Sequence, residues 1–478
     1  MSKRSAKFVR VLLLAVCLAT SAVAKDGDGG KKKWVATWTT APQNTFAGIN
    51  APRLVNLAFP FTPASPGVPA TVPQASNQTL RMILKPDLWG DTMRVRLSNY
   101  FGTAPVTFGK VTVGLQSFSG EIVAGTVRTL TFGGRQSVTV KDKERAFSDP
   151  VQLSWVNGDD GENDDESGGS LQGRNLAISI FIPGKSGPMT FHSTALQESF
   201  LAAPDTGDHS ADESDAAFPY ETSSWFFVDG VDVLAPADTR VLVGAGSSSV
   251  DGSITTPGNN DRFLNWMSRR LHAAYGNHVS VVNAGIGGDT AATPNTGTSP
   301  NADTCAPNPD PAKAQVRPLR EVLPERFDRD VLGASGVTDV IFYAGTNDFG
   351  DNIPSCQSIN SLKAMVTKLH GQGISAIGGT LISNVHQPGT TTATYVAHDQ
   401  INQFILRSGA FDSTADFYGA TIDPSNIDPV SGFPVLRADY AIHSDPDGTP
   451  DFLHLGRNGA QAEGKKLDIG FFAPAKRR

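Results

Sequence analysis

At Thr239 the hydrophobic period of the chain changes, and this change limits the available folds more than any other feature. From Trp34 to about Asp238, apolar and polar side chains alternate in short runs, among them residues 79–84, 93–97, 106–108, 111–113, 130–132, 138–140 and 177–182. Such alternation is the period of a half-buried strand, and glycine and proline break the runs at short intervals. Many short strands with such turns predict a β-sandwich or jelly roll over residues 34–238. From Thr239 onward the pattern becomes mixed. Residues 241–243, 279–282, 339–343 and 376–377 read as buried strands. Between them Phe263, Leu264, Met267, Leu271, Ala274 and Tyr275 share one helical face, as do Ile359, Leu362, Met365, Val366 and Leu369. Residues 401–408 close a further helix. This predicts an α/β domain over 239–478, a parallel sheet with helices on both faces and its reactive loops at the carboxyl ends of the strands. A length of 478 residues agrees with two domains, and no internal repeat is apparent.

The N-terminus reads as a targeting segment. Lys3, Arg4, Lys7 and Arg10 precede an apolar core from Val11 to Ala19, and Ala22-Val23-Ala24 has the small-x-small form of a cleavage site. A signal peptide is expected over 1–24, with a linker over 25–33 that includes Lys31, Lys32 and Lys33. The apolar core is too short for a stable membrane anchor. Cleavage removes four positive charges and takes the formal charge from −7 to −11, so a secreted or periplasmic acidic product is expected, with no nucleic-acid partner. Cys17 falls inside the signal core. Cys305 and Cys356, in loops after strand-like segments, leave one disulfide open in an oxidising compartment, and two cysteines by themselves do not build a tetrahedral zinc site. The acidic stretch 157–169 lacks EF-hand spacing and reads as a solvated surface loop.

Four segments carry residues suited to chemistry. The first strand of the α/β half ends in Gly246-Ser247-Ser248-Ser249, where a serine between strand and helix lies close to helix N-terminal amides. A polar turn or helix cap has the same composition. The second ends in Asn283-Ala284-Gly285-Ile286-Gly287-Gly288-Asp289, whose glycines let backbone amides approach a substrate; a plain tight turn fits equally. The third ends in Gly345-Thr346-Asn347-Asp348, where an asparagine amide can donate to an oxyanion. Near the C-terminus Asp451 and His454 stand three apart before the final helical stretch. A helical turn would put them on one side, so that the carboxylate orients an imidazole suited to taking a serine proton.

In the order Ser, Gly, Asn, Asp-x-x-His, these segments together resemble the SGNH hydrolases, known also by their GDSL signature, over roughly Thr239 to Phe472. The resemblance implies a flavodoxin-like three-layer sandwich and a serine esterase. In it Ser248 is the nucleophile, His454 the base and Asp451 the orienting carboxylate. The amides of Ser248 and Gly288 and the side chain of Asn347 form the oxyanion hole, and no metal or organic cofactor is required. The GNNDRF stretch at 258–263, WVATWTTAPQ at 34–43 and the run 78–109 resemble a subgroup with an N-terminal β-domain, similar to arylesterases and acylhydrolases, some linked to xylan breakdown. Two positions depart from the family pattern. Ser247 replaces the usual aspartate before the nucleophile, where its hydroxyl would partly take over bracing the turn, and Leu455 replaces a common proline after the histidine.

The expected function is a secreted serine esterase acting on short-chain acyl, aryl or acetylated carbohydrate esters, small-molecule or polysaccharide. The alternatives are an acyltransferase on the same site and an inactive carbohydrate-binding protein. Other histidines rank lower. His443 with Asp445 is a second His/Asp pair, His386 is a candidate for the substrate cleft, and His192 reaches the site only if the two halves pack so as to bring it there. Oligomeric state is not legible.

Overall fold

Two kinds of sheet divide the chain where its period changes. The computed structural model describes residues 31–44, 74–156, 171–293, 321–351, 353–387, 389–443 and 450–473, without the side chains of 442, 443, 450 and 451. The expected signal peptide, most of the linker, the acidic stretch 157–169, Cys17, Cys305 and Asp445 lie outside the described residues.

Upstream of Thr239 the main strands are β1 (Lys32–Thr39), β2 (Ser76–Leu84), β3 (Thr92–Ser98), β4 (Lys110–Leu115), β5 (Leu176–Lys185), β6 (Thr190–His192), β7 (Ser199–Leu201) and β8 (Val228–Pro236). They pair antiparallel, in one sheet containing β1–β8–β3 and another containing β7–β2–β5–β4. The run 130–132 departs from expectation. The ladder there covers Arg128–Thr129, and Phe132 makes only an isolated bridge to Arg135, because Gly133 and Gly134, both at positive φ, reverse the chain first.

The half-buried reading of β2 and β3 also needs correction, because their polar faces are covered. Arg81 is fully buried: it bonds the Ser179 hydroxyl, and its guanidinium lies 4.1 Å over the Phe218 ring. Burial lowers that guanidinium to about 10. Arg94 and Arg96 on β3 meet Asp232 and Asp229 of the neighbouring strand region. They also reach the other half, Arg94 donating to Ser335 Oγ and Arg96 to Gly333 O at 2.9 Å. Long cationic side chains satisfied by several acceptors let a polar strand face become an internal seam.

Downstream, β9 (Arg240–Gly246) is followed by α1 (Ser248–Asp251) and α2 (Phe263–Tyr275). Then come β10 (Val279–Gly285), β11 (Asp339–Tyr343), α3 (Ser355–His370), β12 (Ser375–Gly379), α4 (Thr392–Arg407) and β13 (Ser413–Ala415). The five strands are parallel in the order β10–β9–β11–β12–β13, with the chain reversing direction across the sheet next to β9. This is the parallel sheet with alternating helices expected for the α/β half. Two hairpins follow, β14 (Ile422–Ile427) with β15 (Pro434–Leu436), and β16 (Ala441–His443) with β17 (Pro450–Leu455); α5 (Arg457–Gly464) comes last. Among the described residues no helix is long and apolar enough to cross a membrane.

On α2 the buried stripe takes in Ser268, while Ala274 is exposed. The helix is turned toward the antiparallel half, where Ser268 Oγ donates to Asp87 and His272 Nε2 lies 2.9 Å from the same carboxylate. From Lys32 on the chain forms one compact unit. At the seam Ser280 Oγ donates to Ala36 O at 2.7 Å, and Thr39 Oγ1 donates to Asn283 O at 2.8 Å.

Candidate active site

Register brings three of the four chemical segments to one level. Gly246 pairs with Gly285 across β9–β10 and with Tyr343 across β9–β11, so the loops beginning at 247, 286 and 344 leave the sheet side by side. In an open parallel sheet this edge, beside the point where strand order reverses, is where a crevice forms. Gly246 is required there. A Cβ at this position would stand 2.0 Å from the Tyr343 carbonyl oxygen, so only glycine lets β9 turn into α1 against β11.

Ser248 opens α1, and the first amides of a helix have no acceptor within the helix. Its Oγ lies 2.8 Å from His454 Nε2, a contact between residues 206 positions apart. His454 stands on β17, which corrects the helical turn expected there. Pro450–Leu455 is a strand paired with Ala441–His443, and α5 starts only at Arg457. In a regular strand, positions three apart face opposite sides. Phe452, at φ 50, breaks that alternation between Asp451 and His454. The backbone of Asp451 is in this strand; its side chain lies outside the described residues, as does that of His443. Leu455, in the place of the family's proline, pairs with Ala441 and is buried.

The turn before Ser248 is not braced as expected. The Ser247 hydroxyl makes no capping bond. Instead Asp251 N and Val250 N donate to Ser247 O at 2.9 and 3.0 Å, and Arg326 Nη2 donates to Gly246 O at 3.0 Å. Arg326 is fully buried, donates also to Ala284 O at 2.7 Å and is ion-paired with Asp289. One guanidinium thereby ties the ends of β9 and β10 to the second loop. Nothing in the sequence singled out Arg326, since Asp289, Ala284 and Gly246, which it holds together, lie 37, 42 and 80 positions away.

Gly288 sits in the second loop at φ 80, a conformation glycine adopts without strain. Asn347 is in a short 3₁₀ turn (Thr346–Asp348) and donates from Nδ2 to Asp289 O at 2.8 Å, which sets the third loop against the second. Asp348 reinforces the link, accepting from Ala291 N at 2.9 Å and from Ser358 Oγ at 2.8 Å, and burial pushes its carboxyl up to about 7. A small cavity beside β17 is lined by His454, Ser249, Ser253, Phe263, Tyr343 and Glu463. Glu463 accepts from the Tyr343 hydroxyl at 2.9 Å, and burial pushes it up to about 8.

Of the remaining histidines, His386 is half exposed, 3.2 Å from Asp428 and edge-on to Phe452 at 5.5 Å between ring centroids. His192 does come to this region. It is buried on β6 with Nε2 3.0 Å from Asp251, three residues after Ser248. Cys356 is in the first turn of α3, not in a loop, and is disulfide-bonded to a cysteine outside the described residues. Among the described residues no group of three or more His, Cys, Asp or Glu side chains is arranged to hold a metal ion.

Residues 245–462 match the family described as "GDSL-like Lipase/Acylhydrolase family". No curated protein matches the chain. Solved structures similar to part of the chain include a lipase/acylhydrolase from Enterococcus faecalis, 18% identical over 50% of this chain and 100% of its own, with a TM-score of 0.33. An acetyl xylan esterase from Geobacillus stearothermophilus is 16% identical over 50% of this chain and 97% of its own, with a TM-score of 0.32. A GDSL-like lipase from Bacteroides thetaiotaomicron is 14% identical over 48% of this chain and 87% of its own, with a TM-score of 0.31.

Proposed function

We propose that the protein is a serine esterase using Ser248, His454 and Asp451, a reading supported by the match of residues 245–462 to the GDSL-like lipase/acylhydrolase family. The observation that carries this reading is the 2.8 Å hydrogen bond between Ser248 Oγ and His454 Nε2 at the carboxyl edge of the parallel sheet. In the proposed reaction the Ser248 oxygen attacks an ester carbonyl while His454 Nε2 takes its proton. Asp451 is assigned the role of orienting the imidazole and stabilising its protonated form. The tetrahedral oxyanion is assigned to the amides of Ser248 and Gly288 and to Asn347. The Asn347 amide carries two hydrogens, and its bond to Asp289 O uses one. Collapse passes the His454 proton to the departing alcohol and leaves an acyl-serine. Water, deprotonated by His454, then releases the acid.

The proposed substrates are short-chain acyl, aryl or acetylated carbohydrate esters. The proposed site of action is outside the cytoplasm, after removal of residues 1–24. The test is hydrolysis of p-nitrophenyl acetate and butyrate by the mature protein beside Ser248→Ala and Ser247→Ala. Turnover lost in Ser248→Ala and largely kept in Ser247→Ala is the expected result; Ser247 is buried but makes no capping bond. Full activity in Ser248→Ala, or an inactive wild type, would refute the assignment.

A further inference from the structure

We propose that His192, supplied by the antiparallel half, is a positioning residue for the oxyanion loop, so that the β-rich half is part of the catalytic machinery. The inference rests on the esterase reading above and goes beyond it, since none of the triad or oxyanion residues belongs to that half.

The argument begins with how firmly His192 is held. It ends β6, where it pairs with Trp225, and its ring stacks on that indole at 5.6 Å between centroids. Trp225 is fixed in turn by donation from Nε1 to Ile83 O at 2.7 Å and by edge contact with Trp38 at 4.9 Å. His192 Nδ1 donates to Ala41 O at 2.9 Å. With the ring stacked and one nitrogen bound, the direction of Nε2 is set, and it meets Asp251 Oδ1 at 3.0 Å.

Asp251 passes that constraint to the reacting groups. Its second oxygen, Oδ2, accepts from Gly287 N at 3.1 Å, and Gly287 directly precedes Gly288. Its own amide donates to Ser247 O, the residue before the nucleophile. The carboxylate therefore stands between α1 and the second loop, and rotation about its side chain is blocked by a ring anchored in the other half. Arg262 adds a parallel link, bonding both Asp251 O and Ala195 O, the latter at 2.6 Å from the segment after β6. All three side chains, His192, Asp251 and Arg262, are buried, so solvent screens these contacts little. A hydrogen-bonded partner that fixes a reacting group's neighbour acts on turnover through geometry, and a displacement of about 1 Å can cost about a hundredfold.

The test compares His192→Ala with the wild type on p-nitrophenyl acetate, alongside His192→Gln and Ser280→Ala. Removing His192 frees Asp251 to rotate and moves an oxyanion donor without deleting it. The expected loss in kcat is therefore about tenfold to a hundredfold, below that of deleting a donor, with KM changed less than threefold. His192→Gln, whose side-chain amide can still hydrogen-bond Asp251, returns most of that turnover. Ser280→Ala removes a bond across the same seam, lowers the melting temperature and leaves kcat unchanged. A His192→Ala loss of less than threefold, or an equal kcat loss in Ser280→Ala, overturns the proposal. Should His192→Ala fail to fold, Asp251→Asn is judged by the same threefold limit. An inactive wild type or an active Ser248→Ala refutes the esterase reading instead, so the two failures are distinguishable.

Discussion

Glu463 allows a prediction whose sign and size both follow from its surroundings. Its carboxyl is buried on α5, faces the cavity beside His454 and accepts one hydrogen bond from the Tyr343 hydroxyl. Among the described residues no cation offsets it, and burial pushes it from the ordinary 4.5 up to about 8. The group is thus neutral in the folded protein at pH 7 and ionised in the unfolded chain. A folded value above the unfolded one means that the folded state binds more protons between the two, so stability falls as pH rises through that interval. At 1.36 kcal/mol per pH unit, lifting the carboxyl that far costs at most about 5 kcal/mol above pH 8, of which roughly 1 kcal/mol is already present at pH 5. Glu463→Gln keeps the shape and an acceptor for Tyr343 but cannot ionise. The variant should match the wild type within about 1 kcal/mol at pH 5 and exceed it by up to about 4 kcal/mol more at pH 9. Against a total stability of roughly 5–15 kcal/mol this is readable in urea titrations followed by tryptophan fluorescence at pH 5, 7 and 9. If the two proteins lose stability in parallel over that range, the account of Glu463 as a buried neutral carboxyl is wrong.

Two further outcomes test the rest of the site and the seam. Asn347→Ala should lower kcat on p-nitrophenyl acetate by about a hundredfold to a thousandfold with little change in KM, and an unchanged kcat would remove Asn347 from the oxyanion hole. His272 is raised too, but by a charged partner rather than by burial. Burial disfavours its charged ring, but the Asp87 carboxylate at 2.9 Å outweighs this and raises it above 6.5. Its contribution is therefore complete below pH about 6.5 and disappears as pH rises through the folded value, so the urea midpoints of wild type and His272→Gln should lie further apart at pH 5.5 than at pH 9. A gap that widens with pH would contradict it.

What the sequence determined by itself is whatever neighbours along the chain decide. The change from a two-residue to a helical period at Thr239 marks where the antiparallel sheets give way to the parallel sheet. Most of the expected strands and helices appear because burial of one face is a local pattern. Ser248, Gly288 and Asn347 stand out as candidates because glycine-rich or polar turns at strand ends are local too. What only the tertiary structure decided depends on distance between elements. The level of the three loops comes from register between β9, β10 and β11. The approach of His454 to Ser248 spans 206 positions, and the strand that carries the histidine replaced a helical turn because pairing with Ala441–His443 overrode local spacing. Arg81, Arg96 and Arg326 carry no local sign of burial, since charge along a chain predicts exposure, and His192 could be placed only by how the two halves pack. Each is buried because several acceptors from remote segments meet it at once, and no local pattern records where such acceptors converge.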